Sequence, residues 1–303
     1  MRQRCACRIP PTPRQETLVT PAKPQPLPSA DAPVRGHRAA LVAAVQMISA
    51  PRVADNLATA RRLVADAAAQ GAELVVLPEY FAIMGMNEGD KLRVREADGN
   101  GPIQSFLAEE AARHGIWLIG GSIPLAGNDP AKVLNSSVAY APDGARVARY
   151  DKVHLFGFEK GSERYNESAT IEAGTRPVAF DTPFGRVGLS ICYDLRFPEL
   201  YRALGVVDLL ALPAAFTETT GQAHWEILLR ARAIENQCYL IASAQGGRHE
   251  NGRETHGDSM LIDPWGIVLD RKLKGAGVVL GRFDPARIAE IRASLPALAH
   301  RVM

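Results

Sequence analysis

Ala40-Leu41-Val42-Ala43-Ala44-Val45-Gln46 is an apolar run closed by a glutamine, and the segments that follow it decide the fold. A short run without polar alternation reads as a strand buried on both faces. Asp55 to Gln70 then has the spacing of an amphipathic helix, and Leu74-Val75-Val76-Leu77 is a second apolar strand. Pro102 to His114 reads as another helix, stopped at Gly115 before the strand Ile116-Trp117-Leu118-Ile119. The series is β-α-β-α-β. Farther on, Ser136 to Tyr140 and Val147 to Tyr150 flank Pro142-Asp143-Gly144 as a hairpin, and Val187-Gly188-Leu189-Ser190-Ile191 is a strand. Another unit spans Arg196 to Leu212. A long helix, Gln222 to Asn236, leads into Tyr239-Leu240-Ile241-Ala242 and three short strands near Ser259 to Ile262, Ile267 to Leu269 and Val278 to Leu280. Strands that alternate with helices and also pair in hairpins predict one mixed-sheet α/β domain over residues 38–303.

The 303-residue chain is 47% apolar and 22% charged, enough for a sizeable core. Its net charge of +2 is unevenly spread: residues 1–38 hold seven Lys or Arg against two acids, so the remainder carries a small excess of acids. A mildly acidic body without clustered cations argues against a nucleic-acid partner. No stretch approaches the roughly 18 consecutive apolar residues of a membrane span, and no N-terminal apolar block resembles a signal peptide. Neither a membrane nor an extracellular setting is expected. Cys5 and Cys7 lie in the basic segment and Cys192 and Cys238 in apolar runs, which gives no disulfide framework and predicts a reducing, cytoplasmic compartment. Residues 1–37 contain eight of the 21 prolines and no hydrophobic period, so a disordered, proline-rich basic tail is expected there. The tail shares the arginine-rich, acid-poor composition of an organellar transit peptide, although its prolines would break the helix such peptides use; a start codon placed too early accounts for it equally well.

In open α/β sheets, reactive groups gather just beyond the C-terminal ends of strands, where loops converge. Three segments have that placement. In Leu77-Pro78-Glu79-Tyr80 an apolar strand stops at a proline and a carboxylate follows; a glutamate held against apolar neighbours is suited to take a proton from a thiol and return it to a leaving amine. A solvated or helix-capping glutamate has the same local sequence. In Asp151-Lys152-Val153-His154-Leu155-Phe156 a lysine follows a strand and could direct its ammonium at charge growing on a carbonyl oxygen. An ordinary surface lysine reads the same way, and His154 has no second histidine at metal-ligand spacing. In Gly188-Leu189-Ser190-Ile191-Cys192-Tyr193-Asp194-Leu195-Arg196-Phe197-Pro198-Glu199 a strand ends in cysteine and a helix begins at once. That is the outline of a nucleophile elbow, with the Tyr193 N–H turned toward a substrate oxygen and a nearby helix N-terminus favouring the thiolate. A cysteine that merely packs remains the alternative here, and Cys238, with no such turn, is read as packing.

Taken together, Pro78-Glu79, Asp151-Lys152-Val153-His154-Leu155-Phe156 and Cys192-Tyr193-Asp194-Leu195-Arg196-Phe197-Pro198-Glu199-Leu200 resemble, in order and context, the three signature blocks of the nitrilase superfamily of carbon-nitrogen hydrolases. The resemblance runs from about Ala40 to the C-terminus. It implies a four-layer αββα sandwich and a Glu-Lys-Cys triad at Glu79, Lys152 and Cys192. It also implies a second glutamate after the lysine block, matched by Glu167 in Tyr165-Asn166-Glu167-Ser168, with Glu163 as the competing assignment. Phe216-Thr217, Thr220-Gly221-Gln222-Ala223-His224-Trp225-Glu226 and Leu229-Arg230-Ala231-Arg232-Ala233-Ile234-Glu235-Asn236-Gln237 are similar to the Nit-type amidase branch.

Two substrates compete within that branch. One is deaminated glutathione, split between its 2-oxoglutaryl and cysteinylglycine parts; the other is 2-oxoglutaramate, split by omega-amidases. Ala244-Gln245-Gly246-Gly247-Arg248-His249 and Leu195-Arg196-Phe197-Pro198 resemble the former more closely. A catalytically silent binding or scaffolding protein of the same fold is the reading from another class. For the amidase no metal and no organic cofactor are expected, only a small-molecule amide substrate, and homodimers or larger homo-oligomers are implied by analogy. An oxo-acid carboxylate calls for a cation, and Arg196 is the candidate, with a salt bridge to Glu199 or to an acid on a neighbouring helix as its structural alternative. Thr217 and Thr220 could add hydroxyls to the same carboxylate.

Overall fold

The computed structural model describes residues 37–161 and 163–302, so the proline-rich tail read from the sequence lies, His37 apart, outside the described residues. Among them, the first part of the chain forms β1 (Ala40–Gln46), α1 (Val53–Ala69), β2 (Leu74–Val76), α2 (Asp90–Arg93), α3 (Pro102–His114), β3 (Trp117–Ile119), β4 (Ile123–Ala126), β5 (Val133–Tyr140) and β6 (Arg146–Asp151). Three short strands follow, β7 (Gly157–Lys160), β8 (Glu163–Asn166) and β9 (Ile171–Glu172). The second part forms β10 (Val178–Thr182), β11 (Gly185–Leu189), α4 (Pro198–Ala203), β12 (Leu209–Ala214), α5 (Glu218–Asn236), β13 (Tyr239–Ala244), β14 (Ser259–Ile262), β15 (Val268–Lys272), β16 (Gly277–Phe283) and α6 (Pro285–Ser294).

Two sheets result. The first has the order β16-β1-β2-β3-β5-β4, with β6 and β9 also paired to β5; the second runs β10-β11-β12-β13-β14-β15, and β7 and β8 form a separate ribbon. In each sheet three adjacent strands, β1-β2-β3 and β11-β12-β13, are parallel. β1 shows why its sequence is apolar at nearly every position. Val42 and Ala44 point into a core shared with Leu189, Leu210 and Leu240 of the second sheet. Ala43 and Val45, on the opposite face of the pleat, pack with Leu63 and Val64 of α1 and with Phe106 and Leu107 of α3. Trp225, Leu229 and Ala233 of α5 cover the second sheet, completing the αββα sandwich.

The glutamine that ends the first apolar run ties the two sheets together. Gln46 Oε1 accepts from both the N–H and the hydroxyl of Ser259, each at 2.9 Å, and the Ser243 hydroxyl donates to the Val45 carbonyl at 2.5 Å. Such buried, satisfied bonds fix the offset between layers that apolar contact alone would leave loose. The sheets therefore present the ends of β2, β6, β11 and β12 toward a common region.

Several elements depart from the sequence reading. The last strand, read only as Val278 to Leu280, is seven residues long and pairs antiparallel with β1 from Ala40↔Phe283 to Gln46↔Gly277. Strands β4, β9 and β10, the ribbon of β7 and β8, and helix α6 carry no reading from sequence. α6 nevertheless has a local signal: Asp284 caps it by accepting the Ala286 N–H at 3.0 Å, and Pro285 occupies its first turn.

Candidate active site

Glu79 stands two residues beyond the apolar stretch that ends in Leu77, and is 1% exposed. The sequence reading placed it against apolar neighbours; the structure instead gives it three donors. Its Oε1 accepts from Asn135 Nδ2 at 3.0 Å and from Lys152 Nζ at 2.9 Å, while Oε2 accepts the Ala215 N–H at 2.9 Å. A carboxylate gripped this way has one orientation, which a base that must meet a single proton requires. The backbone around it is strained as well: Tyr80 has φ +55° and gives its N–H to the Ser122 hydroxyl at 3.0 Å. Gly121, at φ +54°, passes so close beneath Pro78 that an added Cβ would lie 2.0 Å from the Pro78 carbonyl oxygen. Gly121→Ala is therefore expected to cost roughly 1–3 kcal/mol from the left-handed conformation alone, and to displace Glu79 through the Pro78 carbonyl. A fall in melting temperature together with at least a tenfold drop in kcat would register this; unchanged kinetics would show that Glu79 is not held from beneath.

Lys152 follows β6 directly and is fully buried, at 0% exposure. Its ammonium contacts Glu79 Oε1 and, at 3.1 and 2.8 Å, both oxygens of Glu167. Glu167 begins a single 3-10 turn, Glu167–Ala169, and also accepts the Tyr80 hydroxyl at 2.7 Å and the Phe156 N–H at 2.7 Å. Of the two glutamates that competed in the sequence, Glu167 therefore joins the lysine, and Glu163 instead accepts the Thr219 hydroxyl at 2.5 Å. Burial by itself would strip the charge from Lys152, but the carboxylates of Glu167 and Glu79 outweigh it and hold its proton above the ordinary 10.5. Burial likewise opposes the charge on Glu167, and the Lys152 ammonium with the Phe156 and Tyr80 donors overcomes this, leaving the carboxyl below its ordinary 4.5.

These two shifts have definite consequences for stability. A lowered Glu167 contributes fully above about pH 4.5 and loses its contribution as pH falls through its lower folded value. A raised Lys152 contributes fully below about pH 10.5 and loses it as pH climbs through its higher folded value. Thermal melts from pH 3 to 7 are expected to show an acid-side loss that is smaller in Glu167→Gln than in the parent. Equal slopes in the two proteins would contradict the coupling.

Cys192 follows Ser190-Ile191 at the end of β11, is 7% exposed, and has φ +49°. A left-handed, non-glycine residue here is the strained corner that the strand-to-helix reading predicted. A 3-10 turn, Cys192–Arg196, precedes α4, so the Tyr193 amide lies in a first turn whose N–H groups have no intrahelical acceptor. Asp194 braces the corner from behind: its buried carboxylate accepts the Ile191 N–H at 2.8 Å, the Tyr150 hydroxyl at 2.7 Å and the His154 N–H at 3.1 Å, and His154 Nδ1 lies 2.8 Å away. His154 thus serves the brace rather than a metal, stacked on Phe197 at 3.8 Å. The expected helix-favoured thiolate is not found. Burial, and then the negative charge of Glu79, push the Cys192 thiol well above its ordinary value, with Lys152 only partly compensating. The Cys192 sulfhydryl therefore holds its proton more firmly than a free cysteine does.

Glu79, Glu167 and Cys192 open onto one narrow cleft, whose wall also includes Phe156, Tyr193, Phe216, Thr217, Thr220 and Arg253. Lys152 stands behind the two carboxylates. Thr217 caps α5, its hydroxyl accepting the Thr220 N–H at 3.3 Å and lying 2.8 Å from the Thr220 hydroxyl, so both threonines reach the cleft while already engaged with each other. Arg196 lies at the rim, over the rings of Tyr193 and Phe216 at 5.8 and 5.4 Å and 3.3 Å from His224 Nδ1, and among the described residues it makes no ion pair with Glu199 or another acid. Sequence reasoning missed Asn135, Tyr80, Ala215 and Arg253. Asn135 could have been found as the polar interruption of an apolar strand; Arg253, in a polar loop, offered no local signal.

Comparison with known proteins is consistent across sequence and fold. The family model for carbon-nitrogen hydrolase matches residues 41–293. A deaminated glutathione amidase of Synechocystis sp. is 45% identical over 268 residues, spanning 86% of this chain and 98% of that protein. One from Mus musculus is 42% identical, spanning 86% of this chain and 83% of that protein. The crystal structure of Saccharomyces cerevisiae Nit3, a member of branch 10 of the nitrilase superfamily, superimposes with a TM-score of 0.78 at 29% identity, covering 88% of this chain and 97% of that one. No described helix is long and apolar enough to cross a membrane. With its αββα sandwich and these matches along nearly the whole described length, the chain belongs to the carbon-nitrogen hydrolase family.

Proposed function

We propose that the protein hydrolyses deaminated glutathione to 2-oxoglutarate and cysteinylglycine through a thioester on Cys192. The observation that carries this reading is that Glu79, fixed by three donors, opens onto the same cleft as the strained Cys192 corner. The activity named for the Synechocystis and mouse relatives supports the choice of substrate. In the proposed cycle Glu79 takes the thiol proton as sulfur attacks the amide carbonyl, and the Lys152 ammonium with the Tyr193 N–H stabilises the oxyanion. Glu79 then gives that proton to the departing nitrogen as the C–N bond breaks. Water, deprotonated by Glu79, attacks the thioester, and the carboxylic acid leaves as sulfur recovers a proton. Glu167 keeps Lys152 charged and in place. Burial and the Glu79 charge disfavour a free thiolate, so the scheme has proton transfer to Glu79 accompany attack. No metal or cofactor takes part in this scheme.

Arg196, Thr217 and Thr220 are assigned to substrate carboxylates. A cytoplasmic homodimer or larger homo-oligomer completes the proposal; the exposed Ile227 and Ile234 of α5, with Trp265 and Ile267 in the loop before β15, supply apolar surface for association, which sedimentation would test. The substrate is tested by a panel of deaminated glutathione, 2-oxoglutaramate, an N-carbamoyl amino acid and an aliphatic nitrile. Fastest turnover of the first is the expected result. Rapid turnover of 2-oxoglutaramate with the first untouched would make the protein an omega-amidase, and no turnover of any would return it to a binding role.

A further inference from the structure

Asn135 of β5 is 1% exposed, and its side chain is only half satisfied. Its Nδ2 donates to Glu79 Oε1 at 3.0 Å, whereas Oδ1 is buried and has no hydrogen-bond partner among the described residues. A carbonyl oxygen left in that state costs stability that an apolar side chain would not. Turning the amide over gives no relief, because it would set Oδ1 against the Glu79 carboxylate. The main-chain carbonyl of the same residue accepts the Lys152 N–H at 2.9 Å, so Asn135 holds Glu79 with its side chain and Lys152 with its backbone. The return on this side chain therefore lies at Glu79 and not in its own packing.

The two oxygens of Glu79 are not equivalent. Each oxygen of an ionised carboxylate has about two lone pairs to offer. On Oε1 both are taken, by Asn135 Nδ2 at 3.0 Å and by the Lys152 ammonium at 2.9 Å. Among the described residues Oε2 accepts only the Ala215 N–H at 2.9 Å, which leaves it a lone pair open. A proton placed on Oε1 would aim an O–H into two N–H donors and displace one of them; a proton on Oε2 displaces nothing. Ala215 lines the cleft together with Cys192, and its N–H favours negative charge on that sulfur. The open oxygen and the nucleophile thus share a neighbour.

We infer that Glu79 takes the Cys192 proton on Oε2, and that Asn135 is the positioning residue that closes Oε1 to it. The S–H bond breaks as an O–H bond forms on Oε2, the sulfur electron pair goes to the carbonyl carbon, and the same proton leaves Oε2 for the departing nitrogen as the C–N bond breaks. This rests on the reading of Glu79 as the base. In Asn135→Ala the freed lone pair of Oε1 becomes a second, unproductive place for the proton, and the carboxylate loses one of its anchors. The test compares the parent, Asn135→Ala, Asn135→Ser and Glu79→Gln by alkylation of Cys192 with iodoacetamide, which reads thiol deprotonation with no substrate present, by steady-state kinetics with deaminated glutathione, and by thermal melts. Asn135→Ala should alkylate and turn over roughly 100-fold more slowly, with KM within about threefold of the parent and a melting temperature close to the parent's, since the orphaned carbonyl goes with the amide. Asn135→Ser, whose hydroxyl can donate toward Oε1 directly or through a water, should regain part of both rates. Parent-rate alkylation in Asn135→Ala, a loss that serine does not lessen, or an alanine variant too unstable to fold would overturn the assignment. Glu79→Gln alkylating as fast as the parent would instead remove Glu79 as the base, a failure read without reference to Asn135 or to the choice of substrate.

Discussion

Replacing Cys192 with alanine is expected to lower kcat by about 10⁴-fold or more, with a melting temperature near that of the parent. In the proposed cycle the sulfur forms the covalent intermediate, and what survives in Cys192→Ala, the Lys152 ammonium and the Tyr193 amide, would assist only a direct attack by water. Stability is little affected because the exchange removes one atom beside an open cleft, a loss of about 1 kcal/mol or less by the usual cost of small deletions. The strained φ of +49° is as accessible to alanine as to cysteine, and the Asp194 contacts that brace the corner are untouched. Activity assays and a thermal melt on the same preparation check both halves. Retention of more than a few per cent of kcat would remove Cys192 from its proposed role.

Lys152→Met should have the largest effect on stability. It leaves Glu79 and Glu167 buried together with no cation between them, and breaking a buried ion pair on one side typically costs about 3–5 kcal/mol. For a domain of this size that is a fall in melting temperature on the order of 10 °C. Turnover should vanish as well, since in the proposed cycle the ammonium steadies the oxyanion. The double variant Lys152→Met/Glu167→Gln, in which one of the stranded carboxylates is made neutral, should regain part of the stability and none of the activity. A single variant that melts like the parent, or a double variant that regains turnover, would mean that the lysine neither balances the carboxylates nor serves the reaction.

The difference between what was legible in the sequence and what was not follows from how far each signal travels along the chain. Glu79, Lys152 and Cys192 each follow the end of a strand, a local pattern that made each a candidate beside an ordinary alternative, and only the resemblance of the three blocks together singled them out. β1 was legible for the same reason, being apolar on both faces. Its partner β16 was not: pairing across more than 200 residues leaves no mark on either segment, and in β16 itself only Val279 and Phe283 are buried. The surroundings of Glu79 were misread because its donors, Asn135, Lys152 and the Ala215 amide, come from three separate stretches. The thiol was misread because proximity to a helix start is visible in sequence, whereas burial and the facing carboxylate, which dominate, are not. Arg253 lies in a polar loop whose shape depends on contacts of His249 and Asn251 with residues 49 and 85, and nothing in its own neighbourhood marks it.

The account turns on a covalent bond to one sulfur. Rapid mixing with deaminated glutathione, acid quench within the first turnover, and mass spectrometry of the digested protein test it most directly. The prediction is a transient adduct of the 2-oxoglutaryl group on the peptide containing Cys192, decaying at a rate no slower than kcat. Turnover without any such adduct, or an adduct on a different residue, would contradict it.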